Sequence, residues 1–176
     1  MKSVPSNRPV RVALLGAGVI AGPHFGALKL LNGVELAAVC DLDGVKARAF
    51  ADQNGIPRAF EDLDEMLEQA APDVVHVLLP PTVHAVASER CLKAGSHIFV
   101  EKPFCISVEE CRRVESAARA AERWIGVNHN LTFMPSVLQM IDLIRDRRLG
   151  ALQHVRVMYN LAAPGIVAGP HNHWMF

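Results

Sequence analysis

The chain has 176 residues, 51% hydrophobic and 20% charged, which is enough apolar material for a full domain and too much for a disordered chain. Its 18 Lys+Arg balance 18 Asp+Glu, which argues against a general nucleic-acid binder, and no apolar run reaches the roughly 20 residues of a membrane-spanning helix. Residues 1–9 lack the apolar stretch of a secretory signal, and Cys40, Cys91, Cys105 and Cys111 form no CxxC pair, so reduced thiols in a cytoplasmic protein are expected rather than a zinc ribbon or a disulfide scaffold.

The first signal along the chain is Val10-Arg11-Val12-Ala13-Leu14-Leu15, short, apolar and stopped by Gly16, which predicts a buried strand. A helix is expected over about 23–31, ended by Asn32-Gly33, and a second strand over 35–40, closed by Asp41. Residues 44–54 read as a helix with Gly55 just beyond it. A short strand over 56–60, a helix over 62–70 and an apolar strand over 73–79 follow, the last halted by Pro80-Pro81. A helix over 82–94 stops at Gly95, and a strand covers 96–100. Ser107 with Glu110 three residues on is the pattern of a capping box, opening a helix that runs to about 123. Residues 124–127 make a sixth strand. Strands and helices in alternation, with strands apolar almost throughout, predict an α/β fold with a doubly wound parallel sheet covered on both faces.

The pattern changes after this point. Residues 135–145 look helical, Gly150 breaks the chain, and 152–160 alternate as a strand would. The expected organisation is a cofactor-binding domain over 1–127 and the incomplete start of an α/β second domain, for substrate and oligomer contacts, over 128–176.

Gly16-Ala17-Gly18-Val19-Ile20-Ala21 fits G-x-G-x-x-A between a predicted strand and a predicted helix. Gly16 permits the tight turn, Gly18 lets the main chain approach a diphosphate, and Ala21 allows close helix–strand packing. Free N–H groups of Val19, Ile20 and their neighbours at the helix start suit phosphate charge. Asp41 ends the second strand, where an acid accepts hydrogen bonds from the adenosine ribose and repels a 2′-phosphate; this favours NAD over NADP. The alternative is a purely structural glycine turn.

A more specific pattern lies further on: Asp73-Val74-Val75-His76-Val77-Leu78-Leu79-Pro80-Pro81-Thr82-Val83-His84, then Ala94-Gly95-Ser96-His97-Ile98-Phe99-Val100-Glu101-Lys102-Pro103. Together with the glycine turn, these motifs resemble the glucose–fructose oxidoreductase/inositol dehydrogenase/rhizopine-catabolism (Gfo/Idh/MocA) family, over residues 10 to about 152. The resemblance implies a Rossmann domain followed by a mostly antiparallel α/β domain, and an NAD(P)-dependent oxidoreductase acting on the CH–OH of a sugar or cyclitol. It carries the catalytic lysine of the Glu-Lys-Pro motif onto Lys102, whose ammonium would steady alkoxide charge as hydride leaves carbon. Glu101 would orient Lys102, and Pro103 stands where the family often has a cis peptide. Pro80 and Pro81 would lie along the cofactor, His84 would cap or line their loop, His24 would lie near the diphosphate, and the Asn128 amide would serve nicotinamide or substrate. Asn130 departs from the arginine common in the family, although Phe133 and Pro135 match.

His171-Asn172-His173 offers only two metal ligands, so no metal site is expected. The histidine that usually serves the family's acid–base chemistry lies in the second domain, beyond the part matched here. Two readings therefore stand: an NAD-dependent oxidoreductase or the N-terminal part of one, with homo-oligomer formation through the second domain, and a noncatalytic NAD-binding fragment or interaction module.

Overall fold

The computed structural model describes residues 8–158. Its first unit, which ends at Asn128, holds six strands and five helices. In chain order these are β1 (Val10–Leu15), α1 (Ala21–Lys29), β2 (Val34–Cys40), α2 (Gly44–Asn54), β3 (Ala59–Phe60), α3 (Leu63–Ala70), β4 (Val74–Val77), α4 (His84–Lys93), β5 (His97–Val100), α5 (Val108–Ala121) and β6 (Ile125–Val127). The strands form one parallel sheet in the order β3-β2-β1-β4-β5-β6. The order reverses between β1 and β4, and the carboxyl ends there are the edge at which ligands bind in open α/β sheets.

Side chains alternate across the sheet, so β1 to β4 feed two cores, while β5 and β6 feed one of them. Ala13, Leu15, Val75, Val77, Ile98 and Val100 pack with α3, α4 and α5. Val12, Leu14 and Val39 pack with Ala21 and Leu28 of α1 and Ala51 of α2. Helices α2, α3 and α5 begin on short polar caps. Asp43 accepts from Val45 N–H and Lys46 N–H, Asp62 from Glu65 N–H, and Ser107 from Glu110 N–H. The Glu110 carboxylate accepts from Ile106 N–H, one residue before the position a capping box would use. At the other end of the sheet, Asp73 ties the starts of β1 and β4 together, accepting from both terminal guanidinium nitrogens of Arg8 at 2.7 Å and from Arg11 N–H at 2.8 Å.

Several expected elements differ in extent: β3 shrinks from the expected 56–60 to Ala59–Phe60 and β4 from 73–79 to Val74–Val77. Helix α1 starts two residues early, at Ala21, because Pro23 sits in its first turn, where an N–H is not needed. Pro81–Val83 forms a 3-10 turn ahead of α4, so that helix starts at His84 rather than Thr82. The strand expected over 152–160 is absent from its described part: residues 152–158 are irregular and exposed. Alternation alone does not hold a strand that has no neighbour to complete its hydrogen bonds; residues 159–160 of that stretch lie outside the described residues.

The second unit begins at His129. Its described residues form a 3-10 turn, Asn130–Phe133, and α6 (Pro135–Arg145), with Pro135 at the helix start. His171 and His173 lie outside the described residues. Among the described residues no helix is long and apolar enough to cross a membrane.

Candidate dinucleotide site at the sheet edge

Gly16 leaves β1 at φ +106°, and a Cβ added there would stand 2.7 Å from the Leu78 carbonyl oxygen. Only glycine meets both conditions without strain. Gly18 is different: no described atom lies within 4 Å of where its Cβ would be, so its main chain faces open space. Val19 is 98% exposed and Ile20 39%. Among the described residues no side chain caps the N-terminus of α1, and its first turn holds no acid. An open glycine backbone that leads into an uncapped helix start fits a bound diphosphate.

Asp41 follows β2 and reaches back to this turn. Its Oδ2 accepts from Ala17 N–H at 2.8 Å and its Oδ1 from Asp43 N–H at 2.9 Å. The carboxylate thus fastens the glycine turn to the loop after β2, and its remaining lone pairs stay available to ribose hydroxyls.

The parallel register sets the rest of the edge. Val77, Val100 and Val127 are aligned across β4, β5 and β6. Glu101 and Asn128 are the next residues after two of them, and Asn128 N–H donates to Val100 O at 2.8 Å. Lys102 follows, exposed, joined to Pro103 by a cis peptide, and in no salt bridge among the described residues. Pro80 is exposed and Pro81 buried in the loop after β4. His84 lies underneath, fully enclosed, with Nε2 2.6 Å from Leu79 O and Nδ1 2.9 Å from Pro103 O. Neither ring nitrogen is turned toward a ligand, because each faces a main-chain carbonyl of one of the two loops and the N–H of the ring donates to one of them. Its contribution to the site is the placement of Pro80-Pro81 and Lys102-Pro103.

Glu101 is likewise only 8% exposed. Its Oε1 lies 2.9 Å from His24 Nε2 and accepts from Asn128 Nδ2 at 2.6 Å, and its Oε2 accepts from Lys102 N–H at 3.1 Å. Burial opposes the negative charge, but the bonds from Asn128, His24 and the Lys102 N–H outweigh it and hold the carboxyl below its ordinary pKa. His24, expected beside the diphosphate, is instead 7% exposed, with Nδ1 2.9 Å from His76 Nδ1. Its ring points into the protein because His76 and Glu101 occupy both nitrogens.

His76 did not stand out in the sequence as a site residue. One polar side chain inside an apolar strand does announce a need for a buried partner. Burial, aided by the nearby His24, pushes its pKa down to about 3.

A parallel sheet in this strand order, with a glycine turn, an open helix start and an acid after β2, defines a dinucleotide-binding domain of the doubly wound class. The chain belongs to the Gfo/Idh/MocA family: the model of an oxidoreductase family with a NAD-binding Rossmann fold matches residues 10–129. D-glucoside 3-dehydrogenase of Escherichia coli is 30% identical over 168 residues, 94% of this chain and 48% of that protein. 1,5-anhydro-D-fructose reductase of Ensifer adhaerens is 28% identical over 160 residues, 90% of this chain and 48% of that protein. The WlbA dehydrogenase of Chromobacterium violaceum, solved with NADH and UDP-GlcNAcA, superimposes with a TM-score of 0.79 at 31% identity, over 85% of this chain and 44% of that one. The chain therefore spans about half the length of the relatives it matches.

Proposed function

We propose that this chain supplies the cofactor-binding half of an NAD-dependent oxidoreductase site that transfers hydride to or from a CH–OH carbon of a sugar or cyclitol. The observation that carries the reading is the glycine turn: Gly18 open to approach, α1 uncapped, and Asp41 bonded to the turn at Ala17. In this reading Gly16, Gly18, Val19 and Ile20 seat the diphosphate, and Asp41 takes the adenosine ribose and disfavours a 2′-phosphate. Pro80, Pro81 and Asn128 border the cofactor's nicotinamide half, with His84 and Glu101 supporting them from beneath. The bound nicotinamide supplies the hydride acceptor or donor. Lys102 is the proposed catalytic residue: its ammonium hydrogen-bonds the reacting oxygen and steadies the negative charge that develops on it. Sugar enters because relatives carry such names, D-glucoside 3-dehydrogenase and 1,5-anhydro-D-fructose reductase among them, and cyclitol through the motif resemblance. A second reading is NAD binding without turnover, since hydride transfer needs a walled, dry pocket as well as a seat for the cofactor. A homo-oligomer is proposed only for a protein that carries the second domain in full.

Fluorescence titration of the purified chain with NADH tests the reading. Saturable binding below about 1 mM is expected, at least about tenfold tighter than for NADPH. Lys102→Ala should leave NADH affinity within about threefold, while turnover by any form that oxidises a sugar or cyclitol falls about 100-fold or more. No saturation at millimolar NADH overturns both readings, and a loss of NADH affinity alone overturns the role of Lys102.

A further inference from the structure

We propose that His24 is a positioning residue for the reacting end of the site, one that ties helix α1 to Glu101 and through Glu101 fixes the Lys102 main chain and the Asn128 amide. The proposal rests on the dinucleotide reading above and adds to it a physical link between the phosphate-binding helix and the lysine.

The four residues are far apart in sequence. His24 is 52 residues from His76, 77 from Glu101 and 104 from Asn128, yet all four meet at one spot beneath the sheet edge. A buried carboxylate is costly unless several donors surround it, and Glu101 has three. One of these donors, the Lys102 N–H, belongs to the main chain that carries the proposed catalytic ammonium. Another, Asn128 Nδ2, sets the orientation of that amide and leaves its carbonyl oxygen as an acceptor. The third comes from α1, whose N-terminal turn is the proposed diphosphate seat. Because Glu101 is ionised and accepts only, His24 Nε2 must carry a hydrogen.

Packing fixes the histidine from behind. Its Nδ1 lies 2.9 Å from His76 Nδ1, so a single hydrogen is shared between the rings. The two rings are edge-on at 5.1 Å, and Phe99 lies 5.0 Å from His76. Gly126 makes room for Phe99, since a Cβ there would come within 2.6 Å of its ring. The neutral state of His76 leaves no second charge in this pocket to compete for Glu101.

Two half-replacements of the imidazole separate positioning from plain structural support. In His24→Gln the amide nitrogen takes the place of Nε2 and keeps a donor on Glu101. In His24→Asn the amide stands near Nδ1, faces His76 and leaves Glu101 one donor short. Amide hydrogen exchange of the full chain, read at Lys102 relative to core amides of β1 and β2, reports the effect without substrate. We expect exchange at Lys102 to rise at least tenfold in His24→Asn and to stay within threefold of wild type in His24→Gln, with core amides moving equally in both. Unchanged Lys102 exchange in His24→Asn, or equal acceleration in both variants, overturns the proposal. Should His24→Asn not fold, nitrogen-15 spectra of the wild-type imidazoles decide it: a protonated His24 Nε2 in slow exchange supports the proposal, and an unprotonated one overturns it. NADH titration of the same wild-type sample separates the two claims, because a failure to bind NADH removes the cofactor reading and leaves the exchange result standing.

Discussion

Gly16 and Gly18 stand two residues apart and serve different ends. At Gly16 both the positive φ and the carbonyl of Leu78 exclude a side chain, so Gly16→Ala should destabilise the fold by about 1–3 kcal/mol. At Gly18 a methyl group meets no atom of another described residue beyond its chain neighbours within 4 Å, so Gly18→Ala should leave the thermal midpoint within about 2 °C while it weakens NADH binding about tenfold or more. Thermal melts and NADH titrations of the two variants check the contrast; equal losses of stability would contradict it. His76 makes a pH prediction. Its folded pKa of about 3 lies below the ordinary 6.5, so between those values the unfolded chain binds a proton that the folded chain refuses. Its contribution is therefore complete above pH 6.5 and shrinks as the pH falls, by up to about 1.4 kcal/mol per pH unit. Glu101 and Asp73, both held below their ordinary values, add a loss of the same sign at lower pH as they take up protons. Urea unfolding at pH 7 and pH 5 should show a drop in stability about 2 kcal/mol smaller for His76→Asn than for wild type; identical drops would contradict the burial argument. The buried His24–His76–Glu101 cluster was not legible locally, because the three residues come together only through sheet register and helix placement.

The elements themselves were largely legible. Alternation of apolar strands with helices predicted the doubly wound parallel sheet, and Gly55 and Ser107 stand where the helix signals placed them. The boundaries that moved did so for local reasons. Pro23 suits a first helical turn, and Pro81 tightens the chain into a 3-10 turn before α4. The strand expected near 152 fails in its described part because period-two patterning states which face would be buried, not what would bury it. The junction of β1, α1 and β2 is where element and function meet. Asp41→Ala removes the acceptor that joins Ala17 N–H to Asp43 N–H, and should lower stability by about 1–2 kcal/mol and weaken NADH binding at the same time. Preserved NADH affinity in that variant would show that the carboxylate serves the turn alone.

At the scale of the molecule, the site residues proposed for the cofactor all come from the unit that ends at Asn128. The motifs Pro-Pro-x-x-His and Glu-Lys-Pro pointed to the family from sequence by their resemblance; in the fold they meet at the sheet edge, where the His84 ring lies between the carbonyls of Leu79 and Pro103. Their separate tasks, His84 as a brace and Lys102 as an exposed ammonium, needed the structure, since burial is not written in a motif. A unit with its own two cores and a finished edge should bind a dinucleotide without help from the residues after it. The most direct test is a backbone amide NMR titration with NADH. The amides of Gly18, Val19, Ile20 and Asp41 should shift most and saturate together, with Lys102 and Asn128 following. Shifts confined to other surfaces, or none at millimolar NADH, would contradict the account.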